Sequence, residues 1–207
     1  RYILDLVHTD VCSMSERTLG GAQYFVSFID DHSRKVWVYV LKSKDQVLQK
    51  FKEFQAMVEM ETGRKLKVVR SDNGGEYRGP FEAYCRQVGI RHEKTSPKTP
   101  QLNELTERMN QTIEEKVRSM LSNAGLPKSY WGEAVMTTVD LINLSPSRPL
   151  EGEIPEEIFN GGKATYDHLR VFGCRAFVHV HRDERAKLDA KTTECIYLGS
   201  PKTKFGF

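Results

Sequence analysis

The sequence predicts an α/β fold, a mixed sheet covered by helices on both faces. Three observations lead there. The first forty residues hold three strand-like runs in a meander. The pattern then switches to alternating helical and strand-like segments. The second and third runs, 24–29 and 36–41, carry apolar side chains at both parities, as strands buried on both faces do.

The opening run, 2–11, is short and apolar and ends near Asp10, which puts that carboxylate at the carboxyl end of the first strand. Gly20-Gly21 is a turn, and the polar stretch 30–33 links the second run to the third. Ser43-x-x-Gln46 is a capping box ahead of Val47, Phe51, Phe54 and Val58 at helical spacing, with Gly63 as the stop. Residues 66–71 return to a strand and run into the turn Asp72-Asn73-Gly74-Gly75. Pro80 fits a first helical position ahead of Phe81, Tyr84, Cys85 and Val88, Gly89 ends that helix, and 90–94 makes a fifth strand. A long helix runs from about 100 to Gly125, and another from Ser129 to about Leu144. A helix between the third and fourth strands makes the fourth parallel to the first by the crossover rule. Asp10 and Asp72 can then stand side by side at strand carboxyl ends, where open α/β sheets gather their ligands.

Composition narrows the class. The chain has 207 residues, 39% hydrophobic and 29% charged, enough apolar matter for a sizeable core and too much for disorder. No stretch approaches the roughly 20 apolar residues of a membrane-spanning helix. A net charge of +3 is only mildly basic, so charge alone does not name a nucleic-acid partner. Cys12, Cys85, Cys174 and Cys195 are far apart and form no CxxC pair, which argues for reduced thiols over a structural zinc or a disulfide framework. His8 and Cys12 have helical ligand spacing but lie in a strand-like run. The chain opens on Arg1 without a signal-peptide pattern and reads as a piece of something longer.

The long helix supplies a third acid. Leu102, Leu105, Thr106, Met109, Ile113, Val117, Met120 and Ala124 form its apolar stripe. Asn103, Glu107, Asn110, Gln111, Glu114 and Arg118 fall on the opposite side. Glu107 alone would be an ordinary solvated glutamate, and Asp10 or Asp72 alone an ordinary strand-end or turn residue. Three together are different. At 4 Å each like pair costs about 4 kcal/mol at an effective dielectric near 20. Such a cluster needs cations, and oxygen-only ligands suit Mg²⁺ or Mn²⁺. Two such ions can clamp the attacking and leaving oxygens of a phosphodiester displacement.

The motifs "HTDVC" at 8–12, "FIDDHSRKVWVYVLKSK" at 28–44, "RSDNGGEY" at 70–77 and "SPKTPQLNELTERMNQTI" at 96–113 resemble the integrase catalytic core of copia-type long-terminal-repeat retrotransposon Pol polyproteins. "LPKSYWGEAV", "YDHLRVFGCRAFVHV" and "CIYLGS" resemble the segments downstream of that core, so the similarity covers the whole chain in order. The resemblance implies a ribonuclease H-like mixed five-stranded sheet with helices on both faces, followed by a partial SH3-like β segment. It divides the chain into a catalytic core at 1–125, a helical extension and linker at 126–166, and the start of a truncated SH3-like module at 167–207. That tail is expected to be β-rich and only loosely attached. By motif, Asp10, Asp72 and Glu107 become the catalytic and metal-binding triad for two Mg²⁺ or Mn²⁺ ions. The implied activity is a polynucleotidyl transferase that trims element DNA ends and joins their 3′-hydroxyls to target DNA. The implied partners are element-end DNA, target DNA and further copies of the chain, with no membrane. The implied setting is the nucleus, with a cytoplasmic particle stage.

Lys94, Lys98, Arg108 and Arg118 lie near the triad in sequence and are candidate phosphate contacts, with Gln101 and Asn103 as polar DNA contacts. Trp37, Tyr39 and Trp131 sit in dense apolar runs and are expected in the core. Four departures from the family pattern stand out. Asp72 and Glu107 enclose 34 residues, one fewer than is usual. Glu104 stands where a glycine is usual, and Leu102 where an amide or histidine is. Gln111 replaces a common arginine. Two alternatives therefore stay open: an inactive DNA-binding module of the same fold, and a related ribonuclease H-like or junction nuclease.

Overall fold

The computed structural model describes residues 2–95 and 104–199. Its first three strands, β1 (Val7–Ser13), β2 (Tyr24–Asp30) and β3 (Val36–Leu41), form an antiparallel meander. Helix α1 (Val47–Thr62) returns the chain to β4 (Val68–Ser71), which pairs parallel to β1. Helix α2 (Pro80–Val88) leads to β5 (Arg91–Lys94), parallel to β4. The sheet order is β3-β2-β1-β4-β5, so β1 is central. This is the expected mixed five-stranded sheet.

Each face has its own core. Val26, Phe28, Trp37 and Val69 pack with Phe51, Phe54 and Val58 of α1 and Phe81 and Cys85 of α2. On the other face Phe25, Ile29, Val36 and Val38 meet α3 (Glu104–Ala124) and α4 (Trp131–Asn143) through Ile113, Val117, Trp131 and Val135. Alternate residues of β2 thus feed opposite cores, which is why both parities are apolar. Trp37 and Trp131 are buried and Tyr39 packs edge-on against Phe28, the core roles expected of them. The Gln46 side chain accepts the backbone N–H of Lys42 at 2.7 Å ahead of α1, and Gly63 ends that helix at φ 65, a left-handed position that suits glycine.

Two expectations need correction. Asp10 is not at the end of its strand. It is the fourth residue of β1, which runs on to Ser13 because β2 keeps pairing with it as far as Tyr24. Asn110 is not on a solvated face either. The buried stripe of α3 is Thr106, Asn110, Ile113, Val117 and Leu121, rotated from the purely apolar choice by one polar residue that finds partners inside.

Beyond α4, a short helix α5 (Pro155–Asn160) packs Phe159 against Trp37, and β6 (Arg175–His179) and β7 (Thr192–Ile196) form a two-stranded antiparallel ribbon. The ribbon is mostly exposed, but its base is pinned. Phe172 is buried in the core under α3 and α4, and Leu198 packs beside it. A Cβ on Gly173, at φ +80, would lie 2.3 Å from the Cβ of Ala124, so only glycine allows this approach to the end of α3. The tail is β-structured as expected and, at its base, firmly seated rather than loose.

Candidate functional site

The geometry of the site starts from strand register. Val7 pairs with Val69 and His8 with Arg70. Carried two residues further, the same offset sets Asp10 level with Asp72, just past the end of the β1–β4 pairing. His8, Asp10 and Cys12 share the face of β1 that α3 covers. Asn110 and Glu114, one helical turn apart, match Asp10 and Cys12, two residues apart on the strand. The Asn110 Nδ2 donates to Asp10 Oδ2 at 2.9 Å and the Cys12 thiol donates to Glu114 Oε1 at 2.8 Å.

Asp10 is half-buried, and burial is the main cause that pushes its pKa up to about 6. The Asp72 carboxylate is the next cause and Glu107 adds to it, against the backbone N–H of Val11 and the Asn110 amide, which favour the charged form. Asp10 therefore senses both of the other sequence-selected acids. Among the described residues, no three His, Cys, Asp or Glu side chains are drawn close enough to cage a metal ion. The donor set still fits a hard divalent cation. All three groups offer only oxygen, and the mutual repulsion carried by Asp10 is what such an ion relieves.

Asp72 opens a tight turn in which its Oδ1 accepts the backbone N–H of Gly74 at 2.9 Å. A Cβ on Gly74 would meet Glu76 Oε2 at 2.8 Å and Asp72 Oδ1 at 2.9 Å, so both carboxylates fold over that glycine. Lys44 reaches Glu76 Oε1 at 3.0 Å and lies over the Tyr24 ring at 5.9 Å. The hydrogen bond to Glu76 raises its pKa against partial burial, and Glu76 and Asp72 add to that through their charge. Below the acids, Thr9 and Tyr77 hydroxyls bond at 3.0 Å, and the Ser71 hydroxyl bonds the ring of His92 at 2.9 Å. Asn73 Nδ2 donates to the Thr95 carbonyl at 2.8 Å, tying the turn to the end of β5.

The remaining candidates divide. Lys94 is engaged by Glu82, and Arg108 by Glu104 one turn earlier. Arg118 is exposed and lines a groove with Glu16, Glu114 and Lys128, on α3 beyond the acids. Lys98, Gln101 and Asn103, with Leu102, lie outside the described residues. His8 bonds Asp31 at 3.0 Å, so it shares no partner with Cys12. All four cysteines are free thiols. Sequence reasoning missed Asn110, Ser27 and Lys44. Asn110 had one available signal, its position three residues after Glu107.

Residues 4–100 match the integrase core domain model, and residues 174–207 match the retroviral polymerase SH3-like domain model. The first range takes in Asp10 and Asp72 and stops short of Glu107. The retrovirus-related Pol polyprotein from transposon TNT 1-94 of Nicotiana tabacum is 60% identical over 207 residues, covering 99% of this chain and 16% of that protein. The corresponding polyprotein from transposon RE1 of Arabidopsis thaliana is 36% identical over 204 residues, covering 99% of this chain and 14% of that protein. The chain thus spans a small part of the length of the curated relatives it matches. A chain of the simian T-cell lymphotropic virus intasome in complex with PP2A regulatory subunit B56 gamma superposes with TM-score 0.62 at 15% identity, covering 94% of this chain and 68% of that one. At that identity the likeness speaks for the fold. Among the described residues no helix is long and apolar enough to cross a membrane.

Proposed function

We propose that this chain, which carries the integrase core domain of a retrotransposon Pol polyprotein, acts as a divalent-metal-dependent polynucleotidyl transferase on DNA. What supports this reading is the strand register that sets Asp10 level with Asp72, with α3 bonded to Asp10 through Asn110 three residues after Glu107. The raised pKa of Asp10, driven after burial by Asp72 and then Glu107, agrees with it. Three acids from β1, the end of β4 and the first turns of α3 share one electrostatic site at the place where the central strands part.

Asp10, Asp72 and Glu107 would hold Mg²⁺ or Mn²⁺, two ions in the working complex. Those ions supply Lewis-acid polarisation of a phosphodiester. The reaction exchanges one ester for another. A 3′-hydroxyl of element DNA attacks a target phosphorus, the new P–O bond forms as the old one breaks, and the departing 3′-oxygen takes up a proton. End trimming is the same displacement with water as the nucleophile. Arg118, exposed on α3 beyond the acids, would meet phosphates, and Lys44 would do so after leaving Glu76. Lys94 and Arg108 would first have to leave Glu82 and Glu104. Lys98, Gln101 and Asn103 remain proposed DNA contacts. Element-end DNA, target DNA, further copies of the chain and a nuclear site of action complete the proposal.

Exposed Glu104, a turn before Glu107, favours a second reading in which the fold binds DNA without catalysis. One experiment separates the two. Full-length integrase carrying this segment is given Mn²⁺, a labelled element-end duplex and a target duplex, alongside its Asp72→Asn variant. Strand transfer by the parent and none by the variant supports the transferase. Equal DNA binding with no transfer by either supports the inactive module.

A further inference from the structure

We propose that Asn110 positions Asp10 for its metal ion, with Ser27 fixing which way the Asn110 amide faces. The inference rests on Asp10 being a metal ligand, as proposed above.

Asn110 is only 5% exposed, in the same stripe of α3 as Ile113 and Val117. A buried amide is costly unless both ends are bonded, by roughly 1–3 kcal/mol in protein measurements. Here both ends are. The Nδ2 donates to Asp10 Oδ2 at 2.9 Å, and the Oδ1 accepts from Ser27 Oγ at 2.9 Å. The direction of each bond follows from the chemistry. A carboxylate only accepts, so the amide must turn its NH₂ end towards Asp10. Its oxygen then faces Ser27, which must donate. Ser27 is fully buried and sits opposite Asp10 in the β1–β2 register, with Oγ 3.5 Å from the Asp10 carbonyl. The three residues form a closed loop. The backbone that carries Asp10 also carries, through Ser27 and Asn110, the group that orients its carboxylate.

Outer-shell partners of this kind typically change metal affinity by about 10–100-fold when removed. Without Asn110 the Asp10 carboxylate loses its side-chain donor and the Ser27 hydroxyl loses its nearer acceptor. The ion would then have to order a carboxylate that the wild-type protein presents already oriented.

The test is Mn²⁺ binding to the 207-residue chain, followed by the electron-spin signal of free Mn²⁺, for wild type, Asp10→Asn, Asn110→Ala and Ser27→Ala. Asn110→Ala should weaken Mn²⁺ by about 10-fold or more, and Ser27→Ala should weaken it in the same direction by less. In full-length integrase the strand-transfer deficit of Asn110→Ala should shrink as Mn²⁺ is raised, which a general packing defect would not do. Wild-type Mn²⁺ affinity in a folded Asn110→Ala overturns the proposal and leaves the metal reading intact if Asp10→Asn has lost binding. If Asn110→Ala does not fold, Ser27→Ala decides, and unchanged affinity there overturns the proposal. Wild-type affinity in Asp10→Asn overturns the metal reading and this inference with it.

Discussion

Asp10→Asn should stabilise the protein when no divalent ion is present, although it removes a proposed catalytic group. The folded-state pKa of Asp10 is raised from 3.8 to about 6. A raised carboxylate holds its proton more tightly in the folded state than in the unfolded one. Folding therefore loses stability as pH climbs between those two values, and the full penalty is present above the upper one. Two units at 1.36 kcal/mol each make about 3 kcal/mol. An asparagine carries no charge and so escapes the penalty. It accepts the Asn110 amide less strongly than a carboxylate does, a loss of about 1 kcal/mol. The expected net gain near neutral pH is about 2 kcal/mol, which for a chain of this size raises Tm by about 4–8 °C.

Thermal melts in chelator, at pH about 7.5 and again at about 4, measure this directly. At the higher pH the variant should melt later than wild type. At the lower pH wild-type Asp10 is protonated and the two should converge. Added Mn²⁺ at neutral pH should stabilise wild type and leave the variant unmoved. A variant that melts no later than wild type at neutral pH would refute the reasoning. An advantage that persisted undiminished at the lower pH would show that its source is not the charge.

Two further substitutions probe the surroundings of the acids. Glu104→Gly frees Arg108 from its ion pair, so duplex binding followed by fluorescence anisotropy should tighten at low salt, with a salt slope steeper by about 0.9 for the one added phosphate contact; equal affinities at low salt would place Glu104 outside the DNA path. Glycine in the first turn of α3 should also lower stability by up to about 1 kcal/mol. Gly173→Ala brings a Cβ to 2.3 Å from that of Ala124 at φ +80, an overpacking cost of about 1–3 kcal/mol that should release the base of the ribbon. Limited proteolysis should then cut near Phe172 and Leu198 sooner than in wild type, and an unchanged digestion pattern would show that the glycine is not what seats the ribbon.

The fold was legible because its elements are strongly periodic and well punctuated. Val47, Phe51, Phe54 and Val58 behave in the structure as their spacing requires, and Gly63 and Gly89 stop their helices in left-handed conformations. The parallel pairing of β1 with β4, which sets Asp10 level with Asp72, was legible through the crossover rule, which needs no side-chain detail. What escaped depends on partners distant in sequence. Ser13 belongs to β1 only because Tyr24 is across from it. Lys44 reaches the turn that Asp72 opens through its bond to Glu76, 32 residues away in sequence. Lys94 and Arg108 look like available cations in the sequence and are engaged by Glu82 and Glu104.

Asn110 escaped for an instructive reason. Periodicity sorts residues by hydrophobicity, and an asparagine is sorted outward. Position 110 faces inward because the sheet beneath it is not apolar at that point. β1 pairs with β2 along its length but with β4 only at Val7 and His8. Past His8 the two parallel strands no longer pair, and Asp10 and Asp72 stand on either side of the fork. Polar side chains fill the fork from below, with Thr9 bonded to Tyr77 and Ser71 to His92. A helix crossing above a fork lined with carboxylates cannot present leucine there without stranding a charge. It presents Glu107 and, three residues on, Asn110, neighbours on the helix surface. One adds a third carboxylate to the site and the other orients the first. The same break in strand pairing thus accounts for where the acids sit and for why a polar residue interrupts the buried stripe of α3.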